Sequence, residues 1–225
     1  MSELRLVIFD VDGTLVDSQG LIVRSMEAAF DGVGLPSPSR DAIKGIVGLS
    51  LDRAVALLAP TASDNEAQRI VQTYKDAFFT YRSAEGAAAS SPFFSGAREV
   101  LDQLRADPWT LLAVATGKSK RGLDALIEAH GLEGYFVSRQ VADFHPSKPH
   151  PSMIFTAVDE AGVARSRTVM VGDTTYDMDM AKAAGVAAIG VSWGYHAVET
   201  LSADRIVGDF AELPAAINEL LEARS

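Results

Sequence analysis

The chain contains no cysteine. That excludes disulfides, thiol nucleophiles and thiolate metal sites, and it fits a cytoplasmic setting. No apolar run approaches ~20 residues, so no transmembrane helix is expected. The opening Met1-Ser2-Glu3-Leu4 lacks the basic region and apolar core of a signal peptide. Positive charge is scarce: 20 Lys and Arg stand against 30 Asp and Glu, for a net charge of −10. This balance argues against nucleic acid or an anionic membrane as partner. An anionic ligand would have to be drawn in by a local cation. What is present suits a globular core: 48% of the 225 residues are hydrophobic, enough for one large domain or a domain with a smaller companion.

The stretch that organises the chain is Asp10-Val11-Asp12-Gly13-Thr14-Leu15. The run before it, Leu4 to Phe9, is short, apolar and partly β-branched, and reads as a buried strand. Asp10 is then the first residue off the strand's C-terminal end, where open parallel sheets bind ligands. Asp12 lies at the same rim, Gly13 permits a sharp turn, and Thr14 offers a hydroxyl. Asp and Gly are also ordinary turn residues. Two carboxylates this close, however, repel unless a cation lies between them or one is protonated. The pair points to a bound metal, or to a nucleophile beside a proton donor.

From residue 18 to residue 91 the periodicity is helical throughout. Ser39 can cap a helix through Ile46, Ser50 one through Ala59, and Asp64 a longer one from Asn65 to about Ala88. Gly86 to Ser91 reads as a frayed helix end and hinge. From Phe93 strand and helix alternate: helix Ala97–Arg105, strand Thr110–Ala115, helix Ser119–His130, strand Phe136–Ser138, helix Pro151–Ala161, strand Thr168–Val171, helix Thr175–Ala184, strand Ala187–Val191, and a closing helix Glu212–Ala223. Alternation of this kind implies an α/β fold, with helices on both faces of a parallel, Rossmann-like sheet. The expected organisation is a core of residues 1–17 and 92–225 with an inserted all-helical cap, 18–91.

Three later stretches carry chemistry. The strand before Thr116-Gly117-Lys118 delivers Thr116 to the same rim, and the helix N-terminus after it suits a phosphate oxygen. Lys148 lies between Pro146 and Pro149; a lone lysine is normally a solvated charge, but this stiff loop is well placed to hold it over a site. His145 and His150 flank it and read as surface or supporting residues. The strand ending in Gly172-Asp173 places Asp173 at the rim, with Asp177 four residues on at the start of the next helix. Asp179 should point away.

Asp10 to Leu15 closely resembles the first signature of the haloacid dehalogenase-like hydrolase superfamily. Thr116 matches the Ser or Thr of its second motif, Lys148-Pro149 its third, and Asp173 to Val186 its acidic fourth. Gly117 departs from the Asn found in many members, which removes any side-chain role there. The position of the insert resembles the subfamily with an α-helical cap.

The resemblance implies a Mg²⁺-dependent phosphatase acting on a small phosphorylated metabolite, such as phosphoglycolate, through an aspartyl-phosphate. In that reading Asp10 attacks phosphorus and Asp12 is general acid and base. Thr14, Thr116, Gly117 and Lys148 bind the phosphate. The metal ligands are the side chains of Asp10 and Asp173 and the backbone carbonyl of Asp12, with Asp177 behind them. Gly48, Leu49 and Ser50 in the cap are candidates for substrate selection. Arg24, Arg40 and Arg53 read as solvated charges. A phosphomutase of the β-phosphoglucomutase type, an inorganic pyrophosphatase, and a phospho-accepting signalling or binding module remain alternatives. The chain is expected to be a monomer or homodimer.

Overall fold

A computed structural model of the protein describes residues 4–224. The leader reading at Met1 to Glu3 therefore lies outside the described residues, as does Ser225. The first strand, β1 (Arg5–Phe9), leads into α1 (Gln19–Asp31), α2 (Arg40–Lys44), α3 (Leu51–Leu58), α4 (Asp64–Glu85) and α5 (Ala87–Ser90). The alternating part follows: α6 (Ala97–Ala106), β2 (Thr110–Thr116), α7 (Lys120–His130), β3 (Phe136–Val141), α8 (Ser152–Ala161), β4 (Thr168–Gly172), α9 (Thr175–Ala184), β5 (Ala187–Val191), β6 (Arg205–Val207) and α10 (Leu213–Glu222).

The strands form one six-stranded parallel sheet in the order β3-β2-β1-β4-β5-β6. β1 shows why its sequence is apolar at every position. Val7 and Phe9 enter a cluster with residues of α6, α7 and α10, while Leu6 and Ile8 enter a second cluster with α8 and α9. A strand covered on both faces loses the usual polar alternation. Each such side chain contributes roughly 1.5–3 kcal/mol by leaving water.

The inserted helices have their own apolar cluster, in which Met26 and Phe30 of α1 meet Val55 of α3 and Ile70 of α4. The two chain connections to the sheet run side by side. Asp17 N–H donates to Pro92 O (2.8 Å), Phe94 N–H donates to Leu15 O (3.0 Å), and Val16 bridges Phe93. Among the described residues no helix is long and apolar enough to cross a membrane.

Several details differ from the sequence reading. Ser63, not Asp64, caps α4, because Ser63 and Glu66 close a reciprocal capping box. That helix stops at Glu85, where Gly86 takes φ +86°, and a separate short helix follows. β3 runs on to Val141 because β2 offers pairing partners as far as Thr116. The edge strand β6 carries too little periodic sequence to stand out.

Candidate active site

Asp10 leaves the end of β1 and Asp173 the end of β4, the strand hydrogen-bonded beside it. The N–H of Asp10 donates to Val171 O at 2.9 Å and fixes this junction. Both carboxylates are buried. Gly13 is required twice: it takes φ +86°, and a Cβ there would lie 2.3 Å from Asp173 Oδ2. Thr14 Oγ1 donates to Asp173 Oδ1 (2.9 Å), and Tyr195 N–H donates to Asp173 Oδ2 (2.8 Å). Asp177 sits in the first turn of α9 and closes a capping box with Thr174, whose Oγ1 donates to Asp177 Oδ2 at 2.7 Å. Asp179 is exposed, as expected of it.

Lys148 reaches this cluster from its proline-bounded loop and is 2% exposed. Its Nζ lies 2.8 Å from Asp10 Oδ1 and 2.7 Å from Asp177 Oδ1. Burial pulls the Lys148 pKa down, but Asp10 and Asp177 more than offset this and leave it raised. His145 braces the loop instead of binding a metal: its ring nitrogens lie 2.8 Å from Ser152 Oγ and from Gln140 Oε1.

Burial lifts the Asp10 carboxyl to about 7; Lys148 opposes the shift, and Asp177 and Asp12 add to it. Burial, then Asp177 and Asp10, hold Asp173 well above the usual carboxylate range. Ligand atoms of Asp10, Asp173 and Asp177 lie within 4.8 Å of one another. Asp10 Oδ1 is held in the ion pair with Lys148 Nζ, and Asp10 Oδ2 has no hydrogen-bond partner. A buried, oxygen-only set with an orphaned carboxylate oxygen fits a hard divalent cation.

Asp12 stands outside that trio. Its Oδ1 accepts from Lys118 Nζ (2.5 Å) and from Ser18 Oγ. Thr116 is fully buried at the end of β2, and its Oγ1 accepts from Lys118 N–H at 3.2 Å. Sequence reasoning does not single out Lys118, Ser18 or Tyr195. Lys118 makes a contact with Asp12 that spans 106 positions. The available signal is its place two residues past Thr116, at the same rim.

Gly48, Leu49 and Ser50 rest on the sheet's rim. A Cβ on Gly117 would lie 2.6 Å from both Gly48 O and Leu49 O. The glycine that departs from the family pattern is therefore the seat of the inserted loop. Ser50 N–H donates to Ser147 Oγ (2.9 Å), and Tyr176 Oη–H donates to Gly45 O (2.9 Å). Ser50 occupies the position before α3, but its side chain makes no capping bond. A cavity of about 580 Å³ opens from Asp12 and Lys118 toward Met26, Leu49, Tyr74 and Phe78. Arg24 and Arg40 are paired with Glu85 and Glu27, and neither they nor Arg53 line it.

Buried strand-end carboxylates thus meet one buried lysine on a Rossmann-like sheet under a helical insert. The sequence model of the haloacid dehalogenase-like hydrolase family matches residues 7–191, and the chain belongs to that family. It is 41% identical to a protein of Dickeya dadantii named probable phosphatase IndB, over 98% of this chain and 96% of that one. It is 33% identical to a phosphoglycolate phosphatase of Agrobacterium fabrum, over 97% and 94%. A solved structure of a predicted phosphatase from Clostridium acetobutylicum superposes with a TM-score of 0.83 at 26% identity, covering 97% of this chain and all of that one (100%).

Proposed function

We propose that the chain is a Mg²⁺-dependent phosphatase that hydrolyses a small phosphate monoester through an aspartyl-phosphate on Asp10. The observation that carries this reading is the Asp10 carboxylate: buried, paired with Lys148 through one oxygen, and without a partner at the other. A second carboxylate, Asp12, is held separately by Lys118 and Ser18 at the mouth of the cavity.

In this mechanism an Asp10 oxygen attacks phosphorus, and the bond from phosphorus to the leaving oxygen breaks. Asp12 passes its proton to that oxygen and then takes one from the water that attacks the aspartyl-phosphate. Phosphate departs and Asp10 is restored. Thr116, the Gly117 amide and Lys148 bind the equatorial oxygens. Thr14 stays among the proposed phosphate-binding residues, and its hydroxyl also donates to Asp173, a proposed metal ligand. Asp10, Asp173 and the Asp12 backbone carbonyl would hold Mg²⁺, with Asp177 behind them; the cation supplies charge neutralisation for the approaching dianion.

Residues 18–91 act as the cap and 4–17 with 92–224 as the core, with the paired connections at Asp17 and Pro92 as the hinge. The lining of Gly48 and Leu49 above Gly117 favours a selecting role for the cap loop. We take the enzyme to act in the cytoplasm on a small substrate, as a monomer or homodimer. The test is hydrolysis of a panel of phosphate monoesters by EDTA-treated protein, with and without added Mg²⁺. Turnover confined to the Mg²⁺ samples is expected. Undiminished turnover without metal, or none on any ester, would overturn the reading.

A further inference from the structure

The charged groups around the cavity do not balance. Asp12 is matched by Lys118. Asp143 Oδ2 accepts the N–H of Lys120 at the start of α7. Beyond the Asp12–Lys118 pair the lining carries Lys75 and Arg82 on α4 and Arg121 on α7, against Asp52 on α3 and Asp143, whose bond to a backbone N–H leaves its charge in place. Among the described residues no ion pair engages Lys75, Arg82 or Arg121.

Arg82 and Arg121 come from opposite sides of the cavity and meet at one ring. Arg121 Cζ lies 4.5 Å from the centroid of Phe79, and Arg82 Cζ lies 5.9 Å from it. Phe79 remains 45% exposed. Stacking on an aromatic face holds a guanidinium flat and leaves its N–H edge free for a bidentate anion. Burial and the neighbouring Arg121 both pull the Arg82 pKa down, as two facing cations with no anion between them should.

The path from the reacting end to this pair follows one face of α4. Tyr74, Phe78 and Arg82 are spaced four apart, with the first two rings 5.8 Å apart. Lys118 Nζ, the partner of Asp12, lies 5.6 Å from the Phe78 ring. Arg82 is one helical turn further out, roughly 6 Å along the axis.

We propose that Arg82 and Arg121 form an anion subsite, so that the preferred substrate bears a second negative charge, a carboxylate or phosphate, on an apolar or aromatic spacer. The apolar wall between Asp12 and the arginines fits the spacer. The substrate itself would then clasp the cap to the core. The inference rests on the phosphatase reading for the group that sits beside Asp12.

The probes are benzylphosphonate and 4-carboxybenzylphosphonate, which bind without being cleaved. Their affinities are measured by calorimetry with Mg²⁺ present, for the wild-type protein, the Arg82→Gln/Arg121→Gln variant and a charge-matched Arg40→Gln/Arg69→Gln control. Thermal melts check that each is folded. The wild type should bind the carboxylated probe about tenfold more tightly, the scale of a charged hydrogen bond. That ratio should fall to near one in the Arg82/Arg121 variant and persist in the control. Equal wild-type affinities, a ratio that survives the double substitution, or a ratio lost equally in the control would overturn the subsite. Turnover of the matching benzyl phosphates is read separately. A binding preference without hydrolysis removes the phosphatase reading and leaves the subsite; hydrolysis without a preference does the reverse. Failure of both probes to bind counts against both.

Discussion

Lys118 Nζ lies 2.5 Å from Asp12 Oδ1, with side-chain exposures of 9% and 10%. The lysine fixes the carboxylate that is proposed to carry the proton. Lys118→Met leaves Ser18 as the remaining side-chain partner of that oxygen. Turnover of an alkyl phosphate should fall by about tenfold or more, a fraction of the ~10²–10⁴ that a general acid supplies. Turnover of p-nitrophenyl phosphate, whose leaving group needs no proton, should fall less. Equal losses on the two esters would show that Lys118 does not act through Asp12.

Asp10 and Asp12 should separate in the same assay. Asp10→Asn removes the anionic nucleophile and should leave no measurable turnover in a folded protein. Asp12→Asn keeps the nucleophile and should lose about 10²–10⁴-fold on alkyl esters. Single-turnover kinetics checks both, and near wild-type rates for a folded Asp10→Asn protein would exclude it as nucleophile.

Gly117→Ala sets a methyl group against the Gly48 and Leu49 carbonyls, 2.6 Å from each. Backbone cannot swing aside as a flexible side chain can, so the docked loop should be disfavoured by about 1–3 kcal/mol. The variant should show raised KM and faster proteolysis within residues 18–91, with the sheet intact. Unchanged KM and unchanged cleavage would mean that the loop does not need this seat.

Thr14→Val removes the hydroxyl that donates to Asp173 Oδ1 at 2.9 Å while keeping the side chain's shape. Losing a hydrogen bond to a metal-binding carboxylate typically costs 10–100-fold, so the Mg²⁺ concentration for half-maximal activity should rise by about that factor. A Mg²⁺ titration that superposes on the wild type would separate Thr14 from the metal.

The sheet and its rim were readable because their signals are local. Asp10 and Asp173 directly follow apolar strands, Thr116 ends one, and Lys148 is flagged by the prolines around it. The inserted helical segment was readable because strand-like alternation disappears across it. The coupling between distant parts was not. The Lys118 to Asp12 contact spans 106 positions, and no spacing rule reaches that far. Gly117 read as a lost side chain, whereas its importance is the space it leaves for a loop about seventy residues earlier in the chain. Ser63 and Asp64 are both good caps, and the choice between them depends on Glu66 closing the box.

The central claim, a covalent phosphoryl group on Asp10, is tested most directly by reductive trapping. Borohydride converts an acyl phosphate at an aspartate to homoserine, which peptide mass spectrometry locates. The protein is quenched during turnover of a good phosphate ester. The account predicts homoserine at position 10 when ester and Mg²⁺ are both present, and unmodified Asp10 when either is left out. Sustained turnover with Asp10 unmodified, or homoserine at Asp12 or Asp173 instead, would contradict it.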